Sequence, residues 1–294
     1  MNLSEMVTQV LLRAYGFVSS TGLLRSPSAR RAFVRAYFLY KRFVEDPYAG
    51  LIRKHPELFK GGHIIDVGAN IGYTAMLFAA AADLQSKVYA FEPDPENFAA
   101  LDDLIKRRGL QQKVSPIQAA VGESDGELEL WRNPSSHADR RIWTETLRGT
   151  IAPNLAAIIT VPQTRLDRFL AGLDMPACFV KIDVQGYELP VCLGLLESIE
   201  RFPDLRIAFE YDPVMIAGHG FEPRALLELF WSRKFFLYVI NPSGNLEHLP
   251  HGEFGFTAPE RGLYWELLAS RQALVPAAAT SVDTLWNTTR TRLV

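Results

Sequence analysis

Residues 64–74 read Ile64-Ile65-Asp66-Val67-Gly68-Ala69-Asn70-Ile71-Gly72-Tyr73-Thr74. An apolar, β-branched run closed by Asp66 and followed by Gly68 and Gly72 predicts a buried strand that turns into a helix beginning near Gly72. Glycine at position 68 lets the backbone swing tightly or approach a ligand with no Cβ in the way, and the unsatisfied N–H groups at a helix start favour a carboxylate or phosphate. A second apolar strand, Val88-Tyr89-Ala90-Phe91-Glu92-Pro93, ends in an acid about twenty residues beyond that turn, where nucleoside-binding sheets place a carboxylate on a ribose. The glycines alone describe an ordinary strand-to-helix turn. Glu92 converts that turn into an expected nucleoside site.

The spacing Asp-x-Gly-x-x-x-Gly differs from the Gly-x-Gly-x-x-Gly of nicotinamide and flavin enzymes, because Asp66 stands where that motif has its first glycine. This disfavours a bound pyrophosphate, and with it a dinucleotide-dependent oxidoreductase. S-adenosylmethionine, a nucleoside with a charged amino-acid end, suits an acid beside a glycine turn better, since the turn then meets an ammonium as well as a carboxylate.

Working outward, the rhythm from Gly61 onward alternates strand and helix, the pattern of a mainly parallel sheet with helices on both faces. The expected order is strand 63–67, helix 72–82, strand 88–91 and helix 95–108, the last with Asp94 as N-cap and Gly109 as stop. One strand, 114–121, follows, then a turn at 122–126 and an alternating strand, 127–131. The loop after a third strand lies beside the base in such sheets, so Ala120, Val121 and Gly122 are either adenine-side residues or simple hairpin residues. Residues 132–158 lack periodicity and read as an inserted lid or substrate loop, where His137 is either a base or a solvent-exposed histidine. A short strand at 158–161 and a helical turn at 165–170 precede Cys178-Phe179-Val180-Lys181-Ile182-Asp183, again an apolar strand closed by an acid ahead of a glycine, Gly186. A helix at 187–200, a strand at 206–209 ending in Glu210, a helix at 223–232 and a strand at 235–240 complete the pattern. Residues 241–262 read as loop, and 263–268 as an edge strand. Asp66, Glu92, Asp183 and Glu210 are expected to converge where the strands' carboxyl ends face one crevice.

Three segments result: a helical extension at 1–60, the main α/β domain at 61–270 and a tail at 271–294. The extension is cationic, with Arg13, Arg25, Arg30, Arg31, Arg35, Lys41 and Arg42 against the single acid Glu5 up to Val44. It reads either as a cap packed on the main domain or as a peripheral contact for an anionic membrane or glycolipid. Across the chain the formal net charge of −2, with 48% hydrophobic and 22% charged residues, gives no support to a nucleic-acid binder. The two cysteines, Cys178 and Cys192, lack zinc-site spacing and fit a reducing compartment. No apolar run approaches the roughly eighteen residues of a bilayer span, and the N-terminus shows no signal-peptide pattern, so a cytoplasmic location is expected. Glu247, His248, His251 and Glu253 are a weak metal-ligand cluster set in an irregular loop.

The segments Ile65-Asp66-Val67-Gly68-Ala69-Asn70-Ile71-Gly72, Phe91-Glu92-Pro93-Asp94, Ala120-Val121-Gly122, Thr164-Arg165-Leu166-Asp167 and Lys181-Ile182-Asp183-Val184-Gln185-Gly186-Tyr187-Glu188 resemble, in this order, the FkbM family of S-adenosylmethionine-dependent methyltransferases. The resemblance covers roughly residues 61–241. It implies a class I methyltransferase fold, Rossmann-like and doubly wound, whose seven-stranded sheet is parallel apart from one strand. It also implies O-methylation of a sugar, glycolipid or polyketide-like acceptor. Asp66, Gly68, Asn70 and Gly72, with Ala69 and Tyr73 of the same turn, would hold the amino-acid end of the cofactor, Glu92 its ribose, and Ala120 its base. Asp183 would stand at the reacting end. The chain departs from the family at Gln185, where Glu is usual, and at Tyr187, where a small residue is common. A lost charge at 185 leaves open a binding module that has lost activity.

Methyl transfer to an alcohol needs alignment and a route for the proton. Asp183 accepts that proton with help from Glu188, His137 or His219; alternatively Asp183 and Glu210 bind Mg²⁺, which then binds the hydroxyl. Gln185 orients groups but is no base. Lys181, on the same strand face as Asp183, either pairs with that carboxylate or snorkels to the sheet edge; snorkelling is the expectation.

Overall fold

The computed structural model describes Phe38 and residues 46–133, 140–150, 157–252, 263–275 and 290–291. The basic side chains of residues 13–42 and His137 lie outside these. Two sheets organise the chain. The main one has the order β11-β10-β12-β9-β8-β1-β2-β3, with the two-residue β13 (Arg290–Thr291) pairing with β12. Its centre is β1 (His63–Val67), flanked in parallel by β2 (Val88–Phe91) and β8 (Ala177–Ile182); β3 (Val114–Ile117) and β9 (Arg206–Tyr211) extend the parallel ladder on either side.

Every residue of β1 and of β8 is buried, as expected of parallel strands covered on both faces. Alternation sends Ile65, Val67, Val180, Ile182 and Phe209 into one core and Ile64, Ala90, Phe179 and Ala208 into the other. The first core is covered by α5 (Leu166–Ala171), α6 (Glu188–Leu193), α7 (Leu196–Arg201) and α9 (Pro223–Trp231). The second is covered by α1 (Tyr48–Lys54), a 3₁₀ turn (Pro56–Phe59), α2 (Tyr73–Ala81) and α3 (Pro95–Arg108). Tyr48, Leu51, Leu58 and Phe59 are thus part of the sheet's own core.

Several segments depart from the sequence expectation. The strand expected over 114–121 is two: β3 ends the main sheet, where Pro116 lacks a donor at no cost to an edge strand, and β4 (Ala120–Gly122) leaves it to pair with β7 (Ile158–Arg165). With β5 (Gly126–Arg132) and β6 (Arg140–Ile142) these form a second, four-stranded sheet, β4-β7-β5-β6. The region read as an inserted lid therefore contributes β6 and a short helix, α4 (Glu145–Thr150). This sheet has its own small core of Ala120, Leu130, Ile142 and Val161, beside stacked Trp131 and Trp143 with centroids 6.4 Å apart.

The helix expected over 187–200 breaks into α6 and α7 at Gly194. A Cβ there would lie 2.1 Å from the Gly122 carbonyl oxygen, so the chain needs glycine at this crossing. Also unforeseen were α8 (Pro213–Gly218) and the hairpin of β10 (Phe236–Ile240) with β11 (Leu246–Leu249). The segment expected as an edge strand, β12 (Leu263–Ser270), is inserted between β9 and β10 and runs antiparallel to both. Six parallel strands and this antiparallel one make up the expected seven, and β11 and β13 enlarge the sheet to nine.

Candidate active site

The turn after β1 is built by its backbone. Gly68 (φ +78°) and Ala69 both donate their N–H to the Phe91 carbonyl, at 3.0 and 2.9 Å, which fixes the turn against the end of β2. Asn70 follows at φ +50°, and its N–H meets Glu92 Oε2 at 2.8 Å. Glycine at 68 is required by a neighbour other than a ligand: a Cβ there would stand 1.9 Å from the Asp183 carbonyl oxygen. The tight swing expected of Gly68 is present, and the open space beside it is taken by the turn after β8. Gly72 (φ +94°) likewise makes room for Leu101 of α3, 2.7 Å from where its Cβ would be. Ala69 and Tyr73 point into packing, Ala69 in the core and Tyr73 edge-on to Phe38.

Asp66 is fully buried. Its Oδ2 accepts the Thr74 hydroxyl at 2.6 Å, and its Oδ1 lies 3.3 Å from Lys181 Nζ. The ammonium expected beside Asp66 is therefore supplied by the protein itself. Lys181 does not snorkel. It is 2% exposed in a central strand, and its Nζ also reaches the Gly68 carbonyl at 3.1 Å and Asp183 Oδ2 at 3.5 Å.

Glu92 lies past β2, and both its oxygens are oriented by backbone: Oε2 by Asn70 and Oε1 by the Asp94 N–H at 3.0 Å. Burial pushes its carboxyl from the ordinary 4.5 up to about 7, against the lowering effect of these hydrogen bonds. Asp94 caps α3 as expected, accepting from the N–H groups of Glu96 and Asn97, and its Oδ2 is held by Arg132 at 2.8 Å and Arg140 at 3.0 Å. The second sheet is thus riveted to the rim of the Glu92 site. Ala120 faces the core of that sheet, and it is residues 117–119 that leave the end of β3.

On the other side of β1, the register pairs Asp66 with Ala90 and with Lys181, and Lys181 with Ala208. Glu92, Asp183 and Glu210 each lie two residues beyond one of these, on the same sheet face. Asp183, with 24% of its side chain exposed, accepts from Gln185 Nε2 at 3.1 Å. It does not cap α6, whose N-cap position is Tyr187. Instead Glu188 closes the intervening turn, its Oε1 accepting the N–H groups of Val184 and Gly186 at 3.0 and 3.2 Å. Burial raises this carboxyl to about 7. The side chain expected to assist proton transfer is 1% exposed and engaged in holding the turn. Gln185 sits at φ +59°, and its carbonyl meets His219 Nε2 at 3.0 Å, which places His219 behind the turn as a support.

Glu210 faces Glu266 across β9 and β12, and Tyr48 donates its hydroxyl to Glu266 at 2.9 Å. Neither Tyr48 nor Glu266 was expected here. Glu266 is placed by strand register and Tyr48 by the packing of α1, neither of which periodicity encodes. Among the described residues no group of three or more His, Cys, Asp or Glu side chains could hold a metal ion. At the expected Mg²⁺ pair, Asp183 and Glu210, the ammonium of Lys181 3.5 Å from Asp183 opposes a second cation. Nor do Glu247, His248 and His251 converge: Glu247 bonds Asn241 and His251 pairs with Glu228, while Glu253 lies outside the described residues.

Residues 66–237 match the Methyltransferase FkbM domain, more than half of the chain. The chain belongs to this family. Among curated FkbM-type relatives, the 31-O-demethyl-FK506 methyltransferase FkbM of Streptomyces tacrolimicus is 29% identical over 217 residues, 63% of this chain and 82% of that protein. The hexuronic acid methyltransferase AglP of Haloferax volcanii is 27% identical over 136 residues, 46% of this chain, which spans only half of that relative. A solved methyltransferase FkbM from Methylobacillus flagellatus KT aligns with a TM-score of 0.46 and 15% identity, covering 79% of this chain and 50% of that one.

One FkbM-like segment holds a helix start. Asp167 caps α7, accepting the Ser198 N–H at 2.7 Å and the Glu197 N–H at 3.1 Å. Asp167→Ala is expected to lower stability by about 0.5–2 kcal/mol while leaving S-adenosylmethionine affinity unchanged, as read by urea denaturation and calorimetry. A loss of affinity without a loss of stability would place Asp167 in the site instead.

Proposed function

We propose that this protein transfers a methyl group from S-adenosylmethionine to a hydroxyl oxygen of a sugar, glycolipid or polyketide-like acceptor. The observation that carries this reading is the pairing of the glycine turn after β1 with Glu92, a carboxylate clamped by the Asn70 and Asp94 N–H groups. Besides these two backbone donors Glu92 takes a hydrogen bond from the Asn97 side chain, which leaves a lone pair for a ribose hydroxyl, so the residues fit the cofactor. Glu92 would hold its ribose and the 68–72 turn its amino-acid end. When bound, the cofactor supplies a methyl group on a positive sulfur, a good leaving group.

The chain's own tasks are alignment and proton removal. Asp183, the most accessible acid of the Lys181 cluster, accepts the hydroxyl proton; the alcohol grows strongly acidic as its oxygen gains the methyl carbon, so a carboxylate suffices as base. The Gln185 amide fixes the carboxylate's rotation, and Glu188 fixes the turn that carries both. The substrates named for the two curated relatives, a hexuronic acid and 31-O-demethyl-FK506, support a hydroxylated metabolite as acceptor.

Isothermal titration of the full chain with S-adenosylmethionine and with NAD tests this reading. Binding of the first and not the second is expected, followed by transfer of radiolabelled methyl into extracted glycans, lipids or small metabolites. NAD binding without S-adenosylmethionine binding would overturn it. Cofactor binding with no methylated product from any extract would point to the inactive binding module.

A further inference from the structure

We infer that Arg132 and Arg140 are positioning residues for cofactor binding: facing each other across β5 and β6, they hold the Asp94 carboxylate, and Asp94 in turn aims Glu92 at the ribose. This deepens the reading of Glu92 as the ribose acid and rests on it.

The two oxygens of Asp94 have different tasks. Oδ1 accepts the Glu96 and Asn97 N–H groups at 2.9 and 3.1 Å, which is what the start of α3 asks of a cap. Oδ2 is met by Arg132 Nε at 2.8 Å and Arg140 Nε at 3.0 Å, where the Asp94 side chain is wholly buried and that of Arg140 is 8% exposed. Arg132 and Arg140 are direct partners in the β5–β6 register. Like charges at such a pair weaken a hairpin, so the second sheet's own stability does not account for them. Their convergence on one carboxylate does.

Asp94 connects directly to the ribose acid. Its N–H donates to Glu92 Oε1 at 3.0 Å, so whatever fixes Asp94 also fixes one of the donors that aim that carboxyl. The Asp94 charge works in the other direction. Burial and the Asp94 carboxylate raise the Glu92 carboxyl, whereas the N–H groups of Asp94 and Asn70 and the Asn97 side chain lower it. Two guanidiniums on Asp94 Oδ2 offset the like-charge effect and leave the donating N–H in place. Both come from strands of the second sheet, which carries no part of the turn after β1, so that sheet takes part in binding the cofactor.

Calorimetric titration of full-length variants with S-adenosylmethionine at pH 7 tests this. Arg132→Met/Arg140→Met is expected to bind about fivefold more weakly, the loss of ionised Glu92 when a midpoint of about 7 climbs by one unit. Arg132→Lys/Arg140→Lys is expected to bind within about twofold of the native chain, because both contacts are made by Nε, a place that a lysine ammonium reaches. In a Glu92→Gln background the methionine pair is expected to change affinity by less than about twofold, since the group it acts through is gone. A general loosening of the rim would weaken binding equally in both backgrounds and would not be rescued by lysine. Either result overturns the inference, as does unchanged affinity in the methionine pair. Where Glu92→Gln binds too weakly to titrate, the lysine pair decides. Should the methionine pair not fold, Arg132→Met, altering a side chain that is 26% exposed, is read in the same way. A native chain that does not bind S-adenosylmethionine removes the proposed function; one that binds it while the arginine variants bind equally well removes this inference alone.

Discussion

Gly68→Ala is expected to abolish S-adenosylmethionine binding and to destabilise the fold by several kcal/mol, about 3–5 if the turn stays formed. Two independent terms produce this. At φ +78° an L-residue with a Cβ costs roughly 1–2 kcal/mol, and the added methyl would stand 1.9 Å from the Asp183 carbonyl oxygen, a backbone atom that no rotamer change can move. Relief requires the turns after β1 and β8 to separate. That separation would pull Gly68 and Ala69 off the Phe91 carbonyl and Asn70 off Glu92, dismantling the proposed ribose clamp from its far side. Gly72→Ala is a useful contrast. Its Cβ would meet the end of a leucine side chain, Leu101 Cδ1, which can shift, so a smaller loss is expected although φ is again positive. Urea denaturation and titration calorimetry on both variants check the order. Equal effects would mean that backbone strain, rather than the contact between the two turns, sets the cost.

The same contact explains what the sequence allowed to be read. The strands that build the site are short, apolar and closed by acids, and each of β1, β2 and β8 lies where its pattern places it, because a strand buried on both faces has no freedom to be anything else. Asp94 and Gly109 bound α3 through local hydrogen bonds that depend on neighbours in sequence. Legibility stops where the decisive neighbour is remote. Nothing near Gly194 announces the Gly122 carbonyl that breaks the helix there, and the three residues of β6 are too few to show a period. Leu263–Ser270 is a strand by pattern, but its interior place between β9 and β10 follows from pairing alone. In the site the same division holds. The acids were identified by their place at strand ends, whereas their duties were set by partners the pattern does not name: Thr74 and Lys181 for Asp66, the Val184 and Gly186 N–H groups for Glu188, and Tyr48 for Glu266.

Glu92→Gln is expected to weaken S-adenosylmethionine binding by about 10- to 100-fold near pH 8, the value of hydrogen bonds to a charged acceptor, and to reduce the ligand-free protein's loss of stability as pH rises. Both effects come from one cause. Burial raises the Glu92 carboxyl from 4.5 to about 7 in the folded chain, so the folded state keeps a proton that the unfolded state releases. Stability is therefore lost as pH climbs from about 4.5 to about 7, and the full cost, on the order of 3 kcal/mol, is present above that window. Glutamine has no such pH-dependent cost, although its Nε2 faces one of the two backbone N–H donors at every pH, so the variant should lose less stability than the native chain between pH 4.5 and pH 8. Glu188 titrates in the same direction in both proteins and cancels from the comparison. Binding runs the other way. In the proposed complex ribose hydroxyls would donate to the ionised carboxylate and a cationic ligand would favour it further, so native affinity should rise between pH 5.5 and 7.5 by up to about tenfold per unit and then level off. In Glu92→Gln that rise should vanish. Thermal melts across pH and titration calorimetry at three pH values read both effects. A variant that binds as well as the native chain, or whose affinity keeps the native pH profile, would remove Glu92 from the ribose.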